Sequence, residues 1–270
     1  MPYTIEAAQD GCYPGTTVLV NKFDLHTQKE LNAVESVLVT AKTIQWSENP
    51  RCAAFDFEHY KAIHRHLFGE LYDWAGQVRM VNLSKKGTQF CPVEEIPRVS
   101  AAIFKRLAQN NLLCGLARND FIAALVDLYQ RTNELHPFRE GNGRTQRVFL
   151  SQLAENAGYD LDFTAVDPDE LMIATIYAAQ GIEAPLQQAF EKMWNDPNRP
   201  GMQRCTPGRF CCTEQVWAAQ DESGVSAAMD ITEDDTPLSI PDEETPPSGN
   251  AGTGFWSILF QLLKHLAGKH

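Results

Sequence analysis

At 270 residues, with 43% hydrophobic and 10% aromatic content, the chain is long enough for a substantial core, and its composition excludes a wholly disordered polypeptide. The formal charge of −12 argues against non-specific nucleic-acid binding, but the charge is uneven. The segment from Phe210 to Leu263 holds ten acidic residues and no Lys or Arg, which leaves the rest at about −2.

Seven scattered cysteines without a CxxC pair point to a reducing compartment. The start, Met-Pro-Tyr-Thr-Ile-Glu, lacks the basic and apolar regions of a signal peptide, and no apolar run reaches the ~18 residues of a membrane span. The expected location is the cytoplasm, with membrane-peripheral attachment or delivery into another cell left open.

In chain order, Tyr13-Pro14-Gly15 predicts a turn, and Leu31, Val34, Val37, Leu38 and Ala41 recur at helical spacing within 25–46. Asp56 is a plausible N-cap for a helix running to about Tyr72. Val78–Leu83 and Thr88–Cys91, around Ser-Lys-Lys-Gly87, predict a small hairpin. Further helices are expected over 94–110, 119–134 and 143–157, with Gly158 closing the last of these. Asp167-Pro168 opens another, and a final one spans 184–194.

The expected fold is mainly α, a helical domain over 1–198 with a hairpin flap. A Pro/Gly/Ser/Thr-rich acidic linker over 199–254 is expected to be disordered. Residues 255–268 read as a short amphipathic helix suited to a membrane surface, a partner groove or the protein's own surface.

The chemistry concentrates in His136-Pro-Phe-Arg-Glu-Gly-Asn-Gly-Arg-Thr-Gln-Arg147. Gly141-Asn142-Gly143 entering a helix can bring backbone amides to an anion. Arg144 and Arg147, three apart, can grip a di- or triphosphate. Glu140 would repel a bare phosphate, and a divalent cation such as Mg2+ removes that conflict. The neutral imidazole of His136 suits a general base for a hydroxyl. A P-loop is excluded, because GxxxxGK[ST] is absent.

This loop matches every fixed position of HPFx(D/E)GNGRxxR, and the chain resembles the Fic (filamentation induced by cAMP) family over about Tyr13 to Asn195. Ile63-His-Arg-His-Leu-Phe, Asp73-Trp-Ala-Gly and Leu153-Ala-Glu-Asn-Ala-Gly-Tyr carry the same resemblance.

The resemblance implies a protein adenylyltransferase that moves AMP from ATP to a Tyr, Thr or Ser hydroxyl of a target protein. It implies His136 as base, Glu140 as Mg2+ ligand, and Gly141, Asn142 and Gly143 as the phosphate cradle, with Arg144 and Arg147 at the β/γ end. The hairpin is similar to the family's flap, which docks a target segment, with Lys85, Lys86, Thr88 and Phe90 as its test residues. Related Doc-type kinases carry Lys where this chain has Gly143, which favours nucleotidyl transfer.

Ser151–Asn156 fits the inhibitory pattern (S/T)xxxE(G/N) but lies on the motif helix itself and is set aside. The resemblance is therefore to Fic toxins restrained by a separate small antitoxin, whose targets include bacterial type II topoisomerases. Direct nucleic-acid binding is not expected. Two other readings stay open: an inactive Fic scaffold that recruits partners or membrane through its tail, and transfer of another phosphate-linked group.

Overall fold

A computed structural model describes residues 11–48, 54–85 and 88–194, and these form a mainly helical domain. Its helices are α1 (Gln28–Glu48), α2 (Phe57–Phe68), α3 (Ile96–Gln109), α4 (Arg118–Leu135), α5 (Asn142–Asn156), α6 (Pro168–Ala179) and α7 (Ala184–Met193). Strands β1 (Ser84–Lys85) and β2 (Thr88–Gln89) form an antiparallel pair, with Ser84 opposite Gln89 and Lys85 opposite Thr88. The linker over 199–254, the segment 255–268 and Cys205, Cys211 and Cys212 lie outside the described residues.

The helix starts follow from local chemistry. Thr27 and Glu30 cap α1 reciprocally, the Glu30 amide donating to Thr27 Oγ1 (3.3 Å) and Thr27 Oγ1 donating to Glu30 Oε2 (2.6 Å). Asp56 accepts from the His59 amide at 2.8 Å and starts α2. Asp167 accepts from the Asp169 and Glu170 amides, with Pro168 in the first turn of α6.

Helix α5, which carries the second half of the motif, packs against α2 and α4, while α7 covers α4 and α6. Between α2 and α5 the contact is aromatic: Tyr60 lies 5.7 Å from Phe138 and 5.3 Å from Phe149, ring centre to ring centre. Tyr60, Phe138 and Phe149 are fully buried, and each such side chain contributes roughly 1.5–3 kcal/mol of transfer free energy. The motif loop over 136–147 is thus seated on the core through Phe138. No helix among the described residues is long and apolar enough to cross a membrane.

The hairpin differs from its expected extent. Residues 78–83 form no ladder with 88–91; pairing is confined to β1 and β2, extended by the Phe90 amide to Leu83 O at 3.1 Å. The polarity of the entering segment is also inverted, with Arg79 buried and Met80 83% exposed. The reason lies at the motif loop, where the Arg79 amide donates to Pro137 O and the Cys91 amide to Glu134 O.

Candidate active site

His136 ends α4 in the left-handed region, at φ 39° and ψ 59°. A glycine normally takes such a position, and a side chain there costs about 1 kcal/mol or more. Its Nδ1 lies 3.2 Å from Asn133 O. A carbonyl can only accept, so the proton sits on Nδ1 and Nε2 carries the lone pair. The ring is half-buried, and Phe90 from the hairpin stacks on it at 3.7 Å between centres and 10° between planes.

The loop then closes on itself. Asn142 Oδ1 accepts from the Phe138 amide (2.9 Å), and its Nδ2 donates to Phe138 O (2.8 Å). The side chain of Asn142 is committed to the loop, and its backbone amide is what it offers an anion. Gly141 turns at φ 80°, where a Cβ would stand 2.4 Å from the Phe68 ring, so only glycine fits. The first carbonyl–amide bond of α5 runs from Thr145 N to Gly141 O, which leaves the amides of the first turn without intrahelical acceptors. A helix start of this kind is a setting in which backbone amides can meet an anion.

At Gly143 an added Cβ would meet only Arg147 Nη1, at 3.5 Å. Packing therefore does not demand glycine there, and a larger side chain would stand beside the second arginine.

Around the start of α5 stand charges from several elements. Arg144 donates from Nη1 to Glu35 Oε1 (2.5 Å) and from Nη2 to Glu140 Oε1 (3.0 Å), with its guanidinium 4.8 Å over the Phe68 ring. Tyr72 Oη donates to Glu35 Oε2 at 2.5 Å. Burial works against the charge of Arg144, but Glu35 and Glu140 outweigh it, and its pKa is raised. Burial, then Glu35, pushes the Tyr72 hydroxyl up. The recorded contacts of the Glu140 carboxylate, from the Gly141 amide (2.8 Å) and Arg144, fall on Oε1.

Arg144 and Arg147 also face a cavity of about 580 Å³ walled by Thr43 and Trp46 of α1, Ser151 of α5 and Phe163. Ser151 and Glu155 share α5 with Arg147. Among the described residues no group of three or more His, Cys, Asp or Glu side chains could hold a metal ion alone.

Of the hairpin residues, Phe90 is brought to His136. Lys85 and Thr88 pair through their backbones, and Lys86 lies outside the described residues.

His64 of α2 carries no role in the motif and packs among the rings of Phe68, Trp74 and Phe138. It is fully buried, stacked on Phe138 at 3.9 Å. Its Nδ1 accepts from the Gly76 amide (2.8 Å) and its Nε2 donates to Glu140 O (2.9 Å). That pairing requires a neutral ring, because a proton on Nδ1 would face the Gly76 N–H. Burial chiefly, and the Arg144 charge in addition, push its pKa down to about 4.

The sign of the linkage follows. A folded pKa of about 4, against an ordinary 6.5, leaves the contribution fully present above 6.5 and lost as pH falls towards 4. Lowering the pH from 7 to 5 is expected to cost about 2 kcal/mol through this ring. Urea unfolding at both values measures it, and His64→Gln should flatten the dependence even if less stable at pH 7. An equally steep loss in that variant would contradict the assignment.

Comparison with known proteins fits this geometry. The Fic/DOC family model matches residues 54–154. The chain is 37% identical over 183 residues to "Probable protein adenylyltransferase y4lH" of Sinorhizobium fredii, covering 67% of this chain and 94% of that one. It is 33% identical over 183 residues to "Probable protein adenylyltransferase Fic" of Escherichia coli, covering 67% and 90%. Among solved structures, BepC of Bartonella tribocorum with bound AMPPNP superposes with a TM-score of 0.66 at 27% identity, covering 70% of this chain and 98% of that one. With the complete motif loop built on a helix start, and relatives matched over nearly their whole length, the chain belongs to the Fic/DOC family and is an enzyme of its protein adenylyltransferase class.

Proposed function

We propose that the enzyme transfers AMP from ATP to a Tyr, Thr or Ser hydroxyl of another protein, with His136 as general base. The observation that carries this reading is the 3.2 Å contact between His136 Nδ1 and Asn133 O. The Nδ1 proton is held by Asn133 O, so Nε2 is the basic nitrogen, at the end of a loop whose amides open a helix. The hydroxyl oxygen attacks the α-phosphorus, the bond to the bridging oxygen of the β-phosphate breaks, and pyrophosphate leaves. The hydroxyl proton passes to Nε2. The protein's part is positioning and charge stabilisation, as in phosphoryl transfer generally.

The amides of Asn142, Gly143 and Arg144 at the start of α5 suit the phosphates, and Arg144 and Arg147 suit the β/γ end. Gly141 supplies the turn that presents them. Mg2+ would be held by Glu140 together with phosphate oxygens, and it would neutralise charge on the departing pyrophosphate. One carboxylate plus phosphates is the ordinary setting for that ion. The hairpin is the flap along which the acceptor segment docks, with Phe90 as its contact to the base, and Lys85, Lys86 and Thr88 as residues to vary.

ATP as donor is supported by the AMPPNP bound to BepC, which is 27% identical to this chain. Restraint by a small antitoxin in trans accords with the one inhibitory-pattern match lying on α5 itself. A bacterial type II topoisomerase is the first acceptor to test. BepC is a VirB-translocated effector, and action after delivery into another cell is the corresponding reading here, beside action in the producing cytoplasm.

The test is incubation of the chain, without antitoxin, with lysate and ATP labelled at the α- or the γ-phosphate. Label on protein from α alone is the expected result. Label from γ would show a kinase, and label from neither would leave an inactive scaffold.

A further inference from the structure

Arg79 belongs to no motif read from the sequence, yet it is only 3% exposed and sits beneath the flap. Its guanidinium serves three backbone carbonyls. Nε donates to His136 O (2.8 Å), Nη1 to Val81 O (2.7 Å), and Nη2 to Cys91 O. Its own amide donates to Pro137 O at 2.9 Å, and the Cys91 amide donates to Glu134 O at 2.9 Å.

Val81 and Cys91 stand on opposite legs of the hairpin, before β1 and after β2. One buried cation therefore ties both legs to the carbonyl of the residue whose ring lies against Phe90. Phe90 directly precedes Cys91, so the same tether governs where the stacked ring sits.

The geometry suits a planar fork. Guanidinium presents five N–H donors in fixed directions, and three carbonyl oxygens arranged around it can be met at once. An ammonium at the end of a lysine stem is a point donor, and it cannot span acceptors on two hairpin legs and the loop. The His136 backbone, held in a left-handed conformation, needs such an external anchor to stay there.

We propose that Arg79 is a positioning residue for AMP transfer: it locks both legs of the flap to the His136 backbone and so sets the imidazole and the acceptor-docking edge together. The inference deepens the transferase reading and rests on it for its kinetic consequence. Its structural content stands apart from that reading.

The experiment compares the full chain with its Arg79→Met and Arg79→Lys variants, after thermal unfolding and circular dichroism establish which are folded. Three readings are taken: the imidazole resonances of His136 by heteronuclear NMR, the tryptic cleavage rate at Lys85–Lys86, and the rate at which α-labelled ATP marks the lysate protein labelled by the wild type. AMPPNP affinity serves as the control, since the Arg79 guanidinium donates to the carbonyls of His136, Val81 and Cys91, whereas the groups proposed to bind phosphate lie at the start of α5.

For Arg79→Met the His136 resonances are expected to move and flap cleavage to quicken. Labelling should fall by about tenfold or more at unchanged AMPPNP affinity. Arg79→Lys should lie between, and nearer to Met. A folded Arg79→Met with wild-type resonances and wild-type cleavage would overturn the proposal, as would AMPPNP affinity falling in step with labelling. Resonances and cleavage read the tether even if no protein is labelled, so a wild type that labels nothing sinks the transferase reading and not the tether.

Discussion

His136→Ala is expected to bind AMPPNP as the wild type does and to lose AMP transfer by about 10²–10⁴-fold, the usual contribution of a positioned general base. The separation follows from where the groups lie. The amides proposed to meet phosphate open α5, and Arg144 is held by Glu35 and Glu140, whereas the His136 ring lies at the end of α4 against Phe90. Alanine also loses the Phe90 stacking and strains a left-handed backbone at φ 39°. His136→Asn is the sharper variant, because asparagine tolerates that conformation and still has no basic nitrogen. Labelling rates for both, beside AMPPNP titrations, give the measurement. Transfer within about tenfold of wild type in His136→Asn would assign the proton to another group.

Gly141→Ala is expected to be the most damaging single-methyl change in the loop. The new Cβ would stand 2.4 Å from the Phe68 ring, at a φ of 80°. Left-handed strain of about 1–2 kcal/mol and overpacking of about 1–3 kcal/mol together predict destabilisation on the order of 3 kcal/mol. For a domain of this size that lowers Tm by roughly 10 °C. The damage would not be stability alone. Phe68 lies under the Arg144 guanidinium at 4.8 Å, so a ring that gives way to the methyl takes the floor from a cation proposed to bind phosphate. AMPPNP affinity should fall along with Tm. A thermal scan and a titration on the same sample check both, and a Tm within a degree or two of wild type would show that the loop can absorb the methyl.

Much of this site was legible because its chemistry is contiguous. His136 to Arg147 is one unbroken run, and the change from turn residues to helical residues at Asn142 is local. The helices were legible for the same reason. Asp56 and Asp167 cap within three residues, and the apolar faces of α1 and α4 repeat at helical spacing.

What escaped was everything that reaches the loop from a distance. Glu35 meets Arg144 from α1, and Tyr72, from the stretch after α2, holds Glu35; no local pattern marks a carboxylate whose partner is so far along the chain. His64 lies in the Ile63-His-Arg-His-Leu-Phe run, and only the fold gives it the Glu140 carbonyl and the Gly76 amide. The hairpin shows the physical reason most plainly. Val78–Leu83 has the residues of a strand, but the Arg79 amide finds Pro137 O and Val81 O accepts from the Arg79 guanidinium, so beyond Ser84 and Gln89 only the Phe90 amide to Leu83 O continues the pairing. Asn142 is the converse case. It belongs to the motif, yet its side chain spends both its donor and its acceptor on Phe138.

The central claim is that His136 directs transfer of AMP, from the α-phosphate of ATP, to a protein hydroxyl. Mass spectrometry of the acceptor protein isolated after reaction tests it most directly. The account predicts AMP on a Tyr, Thr or Ser side chain with the wild type, and none with His136→Asn. A phosphate in place of AMP, or AMP formed equally well by His136→Asn, would contradict it.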